Sequence, residues 1–274
     1  MLIAAGARLP DHVCGGDAVR TSFDGQACPM ESEAMSKTRL FQSIKSLNRE
    51  AVATLLEDHP ELRQVKDERG RNALHFLCSL PGADKGRERS LGLAQYLLGL
   101  GFDIDQPAFV EGPFKATPLW YAISRGRNLP LAKLLLKEGS TPEYCLWSAA
   151  FHDDVDAIDL LIKHGARLDP VAEDETPFLG AIKWSHFAAA ERLLRHGADV
   201  NFQNSKRMTA LHFLLKKNSD RKYIELLLRN GADPTLENAE GIRPLDMVAK
   251  RRDKTLFELF SKRASAKRTS AKTK

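Results

Sequence analysis

Apolar residues recur along this chain at helical spacing in short runs, and five of the runs end in the same punctuation. They read Leu97-Leu98-Gly99-Leu100-Gly101, Leu135-Leu136-Lys137-Glu138-Gly139, Leu161-Ile162-Lys163-His164-Gly165, Leu193-Leu194-Arg195-His196-Gly197 and Leu227-Leu228-Arg229-Asn230-Gly231. Each ends on a glycine suited to the left-handed position that closes a helix. Successive glycines lie 38, 26, 32 and 34 residues apart. A period near ~33 that tolerates insertions predicts a solenoid, in which a unit buries its apolar face only against its neighbours. The all-α pattern is two antiparallel helices per unit, joined to the next by a polar, finger-like segment.

The start of each unit is as regular as its end. Thr117-Pro118-Leu119-Trp120-Tyr121-Ala122 and Thr176-Pro177-Phe178-Leu179-Gly180-Ala181 open two helices. Thr209-Ala210-Leu211-His212, Asn72-Ala73-Leu74-His75 and Arg243-Pro244-Leu245-Asp246 open others. Threonine accepts a backbone N–H at the N-cap, and proline in the first turn loses no hydrogen bond. These openings, with the close Gly197-Ala198-Asp199-Val200-Asn201, resemble the T-P-L-H-x-A and G-A-D-x-N signatures of the ankyrin-repeat family. The resemblance covers about residues 36–260 and implies six to seven units. The first is degenerate at its opening, the fourth is short, and the seventh lacks a closing glycine, as end units do. Pro81–Arg89 lengthens the link between the helices of the second unit, and Gln106–Pro113 lengthens the finger after it.

The flanks read differently. Residues 1–35 mix Gly, Pro, Asp and Ser without helical period, and are expected to be disordered or in part a gene-model extension, with Met30 and Met35 as alternative starts. Net charge is +5, but Ser261 to Lys274 holds six cations and no acid, which leaves −1 for residues 1–260. A segment so charged and so poor in apolar residues is expected to be disordered. The near-neutral body offers no electrostatic footprint for nucleic acid.

Catalytic chemistry finds no support in the motifs. There is no G-x-x-x-x-G-K-S/T, no H-E-x-x-H and no G-x-S-x-G, and no C-x-x-C among Cys14, Cys28, Cys78 and Cys145. No stretch nears the ~18 apolar residues of a membrane helix. The chain reads as a non-enzyme without cofactor, metal or small-molecule substrate, cytoplasmic and monomeric, with Cys78 and Cys145 as buried thiols. Asp153, Asp154 and Asp156 bracket a helix start, where the dipole favours acids. Glu173-Asp174-Glu175 and Lys206-Arg207 read as solvated turns.

What the resemblance implies about function is protein binding. In this family the histidine of the opening, here His75 and His212, hydrogen-bonds between repeats. The concave groove is lined by the ends of the first helices and by the finger tips. Phasing on the openings puts Arg125, Phe151, His152, Lys183, Trp184, Lys216, Lys217, Lys250 and Arg251 along that groove. Phe151 and Trp184 fall in adjacent units and are either interface anchors or ordinary packing between neighbours. The expected partner is a protein segment with an apolar anchor and flanking acids. The alternative is attachment to nucleic acid or an anionic membrane through the basic tail, with the repeats as passenger.

Overall fold

The computed structural model describes residues 29–82, 86–111, 114–251 and 253–271. The chain divides into two units, Met1–Met35 and Ser36–Lys274. Most of the leader, residues 1–28, and the insertion residues 83–85 and 112–113 lie outside the described residues.

The described residues form fourteen α-helices in seven pairs: α1 Pro29–Lys45 with α2 Arg49–Asp58, α3 Ala73–Cys78 with α4 Arg87–Gly99, α5 Pro118–Ser124 with α6 Leu129–Lys137, α7 Cys145–Phe151 with α8 Val155–Lys163, α9 Pro177–Trp184 with α10 Phe187–Arg195, α11 Ala210–Lys216 with α12 Arg221–Arg229, and α13 Pro244–Lys250 with α14 Lys254–Ala271. First helices stack beside first helices and second beside second, which makes two layers. The long finger alone carries a hairpin among the described residues, β1 Val110–Glu111 paired antiparallel with β2 Phe114–Lys115.

The two layers bury their helices differently. In α5 the residues from Pro118 to Ile123 are all buried, because a first helix has its partner on one side and a neighbouring repeat on each flank. Second helices face solvent on one side. In α12 only Ile224, Leu227 and Leu228 are buried, while Arg229 is exposed. The spacing of those three apolar residues gives the one-sided stripe expected of a surface helix.

The caps follow the sequence pattern. Thr117 accepts from the Trp120 N–H at 3.3 Å, Thr176 from Leu179 at 3.2 Å and Asn72 from His75 at 3.1 Å. The five closing glycines have φ between 86° and 97°. Nothing stands within 4 Å of a Cβ added at Gly197, so that position is set by backbone conformation alone. Gly197→Val is therefore expected to cost about 1 kcal/mol, through the left-handed cap rather than through a clash. A thermal melt with an unshifted midpoint would contradict this.

The opening histidines join adjacent repeats, as the resemblance implies. His75 bonds Asn72 Oδ1 at 2.6 Å and the Gln106 carbonyl, in the following finger, at 2.7 Å. His212 bonds Thr209 Oγ1 at 2.9 Å and the Ile242 carbonyl at 3.0 Å. Burial pushes the His75 pKa down to about 4, and Lys66 and Arg71 add to the cost of a positive ring. The unfolded chain protonates this imidazole near ~6.5, whereas the fold resists protonation down to about 4. Its stability is thus full above that upper value and is lost as pH falls through the window. Lowering pH from 7 to 5 is expected to cost about 2 kcal/mol from this residue. Urea melts at the two pH values measure it, and His75→Gln should flatten the difference.

Two segments differ from the sequence expectation. The helical backbone of α1 begins at Pro29, before the Ser36 start of the first unit. At the other end α14 runs on to Ala271, into the segment read as a disordered tail. Alanine, lysine and arginine are strong helix formers, so local propensity carries on a helix that packing has started.

Candidate functional site

The ends of the first helices carry the candidate groove. A helix leaves its last carbonyls without an intrahelical partner. Here a side chain from the next repeat supplies one, three times in succession. His186 Nδ1 bonds the Ala150 carbonyl at 3.2 Å. Lys217 Nζ donates to the Lys183 carbonyl at 2.6 Å and to Ser185 Oγ at 2.8 Å. The Arg251 guanidinium donates to the Leu215 carbonyl and, at 2.9 Å, to Asn218 Oδ1. Cations and imidazoles suit this place, because the C-terminal end of a helix is its negative pole.

This ladder sorts the groove residues. Lys217 and Arg251 are engaged in joining repeats, while His152 is half-buried, and burial with the nearby Arg127 lowers its pKa. Lys183 pairs with Glu175 and lies 5.5 Å from the centre of the Phe213 ring. Burial lowers the Lys183 pKa, against the pull of Asp174 and Glu173. Glu175, read from sequence as part of a solvated turn, is buried, because it is the acid that Lys183 needs. Asp174 also has a fixed partner, accepting from the N–H and hydroxyl of Ser205 at 2.6 Å. Arg125, Lys216 and Lys250 stand exposed.

The aromatics form one cluster. Phe151 and Trp184, the last residues of α7 and α9, meet edge to face with centroids 4.8 Å apart. Trp147 meets Trp184 at 5.3 Å, and His186 lies 6.1 Å from both Phe151 and Trp184. Edge-to-face contact sets the positive rim of one ring against the negative face of the next. Gly180 makes the room, since a Cβ there would lie 3.0 Å from Trp184 and 3.1 Å from Trp147. Phe151 and Trp184 are half-buried, while Trp147 is buried with its Nε1 unpartnered. The two rings are therefore packing between repeats on one side and open surface on the other.

Phasing on helix ends missed Trp147, which precedes Phe151 by four residues and so shares its helix face. The spacing was available in the sequence. Exposed apolar side chains on the fingers were also missed: Phe109 and Val110 are 43% and 57% exposed, and Val171 is 53% exposed. Fingers have no apolar period from which exposure could be read.

The acids near the site are structural. Asp154 caps its own helix, accepting from Ala157 at 3.0 Å. Asp153 reaches across to cap α10, accepting from Ala189 at 2.7 Å. Among the described residues no group of three or more His, Cys, Asp or Glu is placed to hold a metal ion.

Comparison with known proteins agrees with this architecture. A family model described as ankyrin repeats in three copies matches residues 119–204 and again 146–238. Residues 119–238 match the ankyrin-repeat family, and the helix pairs of the described residues have the ankyrin-repeat fold. No curated protein sequence gives a significant match. Among solved structures, the ankyrin repeat domain of Bcl-3, a member of the IkappaB family, is similar with TM-score 0.63 and 20% identity, over 81% of this chain and 97% of that one. The human ASB11 ankyrin repeat domain gives TM-score 0.62 and 22% identity over 82% and 96% of the two chains. An ankyrin repeat domain from Acinetobacter baumannii AYE gives 0.56 and 22% over 69% and 96%. At these identities the likeness is one of fold. Ankyrin repeats generally mediate protein–protein interaction and are typically non-catalytic. Among the described residues no helix is long and apolar enough to cross a membrane.

Proposed function

We propose that this protein is a non-catalytic scaffold or adaptor that holds a protein segment in the concave groove of its repeats. The observation that carries the reading is the Phe151–Trp184 pair, half open at the ends of adjacent first helices and backed by Trp147. Aromatic side chains in a pre-ordered, partly desolvated setting are the usual anchors of interfaces. Arg125, Lys216 and Lys250 are exposed cations at equivalent helix ends. They favour a partner with an apolar side chain flanked by Asp or Glu, and they steer its approach. The surface is fixed before binding by the inter-repeat ladder, so little ordering cost falls on the scaffold. Buried, unpaired Cys78 and Cys145, whose thiol pKa values burial raises, suit a reducing cytoplasm. The active form is a monomer.

The test is a pair of variants assayed against the proteins that wild type captures. Trp184→Ala is expected to weaken binding by roughly 2 kcal/mol, a typical anchor loss. It also lowers the melting temperature, because half of the ring is packing. Lys216→Glu with Lys250→Glu leaves the melt unchanged and slows association, most strongly at low salt. Capture that is indifferent to all three changes, yet abolished by deleting residues 261–274, would replace the groove with the basic tail as the attachment site.

A further inference from the structure

The charge of the C-terminal segment is written in a repeated five-residue word. From Lys262 the chain reads Lys-Arg-Ala-Ser-Ala and then Lys-Arg-Thr-Ser-Ala. Ser265 and Ser270 therefore each have lysine three positions before them and arginine two before. Lys262 and Arg263 lie beside α12 and its closing Gly231, and the groove uses none of this word.

Its serines lie on the helical backbone of α14, beyond the last core side chain among the described residues. Leu256 and Phe260 tie the first part of α14 to the stack, and Phe260 is the last core side chain among the described residues. The helical backbone continues over Ser261–Ala271, ~16 Å at 1.5 Å per residue. Alanine is the only apolar residue type after Phe260. The composition of this extension favours helix by local propensity, and a helix of that length is marginal in water by itself. No core side chain among the described residues lies beyond Phe260, so opening the end of α14 is expected to make its backbone available in extended form at little cost.

We infer that Ser265 and Ser270 are phosphorylation sites for a serine/threonine kinase that recognises basic residues two and three positions before the acceptor. Carboxylates of such a kinase pair with the lysine ammonium and the arginine guanidinium, which orients the serine. The serine Oγ attacks the γ-phosphorus of Mg-ATP, the bond from that phosphorus to the bridging oxygen breaks, and ADP leaves. The hydroxyl proton passes to the catalytic carboxylate of the kinase. Each phosphate adds about −1.5 to −2, so two bring the tail from +6 to about +2 to +3. The helix responds as well. Ser270 lies in the last turn of α14, where the dipole repels an anion. Ser265 has Lys262 and Arg268 three residues away on either side, so pairing offsets part of the cost there. Modification thus cuts the positive charge of the tail by half or more and unwinds α14 from its end.

The experiment treats the full chain with Mg-ATP and the catalytic subunit of cyclic-AMP-dependent protein kinase, followed by intact mass measurement and peptide mapping. The expected result is two phosphates, on Ser265 and Ser270, with earlier elution from a cation exchanger. Circular dichroism should show reduced helix content with an unchanged thermal midpoint for the repeats. Arg263→Ala with Arg268→Ala keeps both serines and should slow incorporation about tenfold or more, the loss of one or two charge-assisted hydrogen bonds. Incorporation elsewhere, none at all, or an undiminished rate in the arginine variant overturns the assignment. A gain of helix on phosphorylation overturns the unwinding.

Discussion

Phe178→Ala is expected to lower stability by about 3–5 kcal/mol, the cost of removing a fully buried phenyl and leaving a cavity. Phe178 is 1% exposed in α9, and α9 packs against its own partner α10 and against α7 and α11 on either side. A solenoid is held by nearest-neighbour terms, so a defect in a middle unit weakens two junctions at once. The single thermal transition should drop by roughly 10 °C or separate into two. Phe260→Ala makes the informative contrast. Phe260 is equally buried, but it lies in the last described unit, whose α13 packs on α11 of the preceding repeat. Its loss should fray α13 and α14 while the remaining units melt near the wild-type temperature. If the two variants melt alike, the stack unfolds as one indivisible unit and the nearest-neighbour account fails.

The second large effect is expected from a glycine that no signature marks. Gly126, in the turn after α5, has no positive φ. A Cβ there would nonetheless fall on the Cys78 carbonyl oxygen and 2.8 Å from that of Leu80, both in the preceding repeat. The Gly82 N–H bonds the Gly126 carbonyl at 2.8 Å, so the two backbones touch directly. Gly126→Val must push the second and third repeats apart and should cost about 3 kcal/mol, at the upper end of the overpacking range. Chemical denaturation measures it. Gly197→Val is the control of similar chemistry, with a smaller loss and another origin. Equal losses for the two would mean that the junction relaxes around the added side chain.

Reading Gly126 from sequence would have placed it in a polar turn and assigned it no role. The same blindness affected the groove. The positions of Phe151, Trp184, Lys217 and Arg251 at helix ends followed from the repeat phase, since a 3.6-residue period fixes which residues finish a short helix. Their partners did not follow. Lys217 and the Lys183 carbonyl are 34 residues apart, as Arg251 and the Leu215 carbonyl are 36 apart. No local pattern says which of several exposed-looking cations is satisfied by the neighbouring unit.

The sequence by itself determined the repeat, its helix pairs, the N-caps at Thr117 and Thr176, and the left-handed glycines. These are properties of a few adjacent residues: a hydroxyl three positions before an N–H, a backbone that only glycine adopts readily, an apolar stripe one helix face wide. Tertiary structure alone decided that Glu175 is buried, that His186 and Lys217 cap foreign helices, and that Trp147 completes the aromatic cluster beneath Phe151 and Trp184. Each of those facts depends on how one repeat lies against the next. That distance is one period along the chain, and it becomes a contact only when the stack forms.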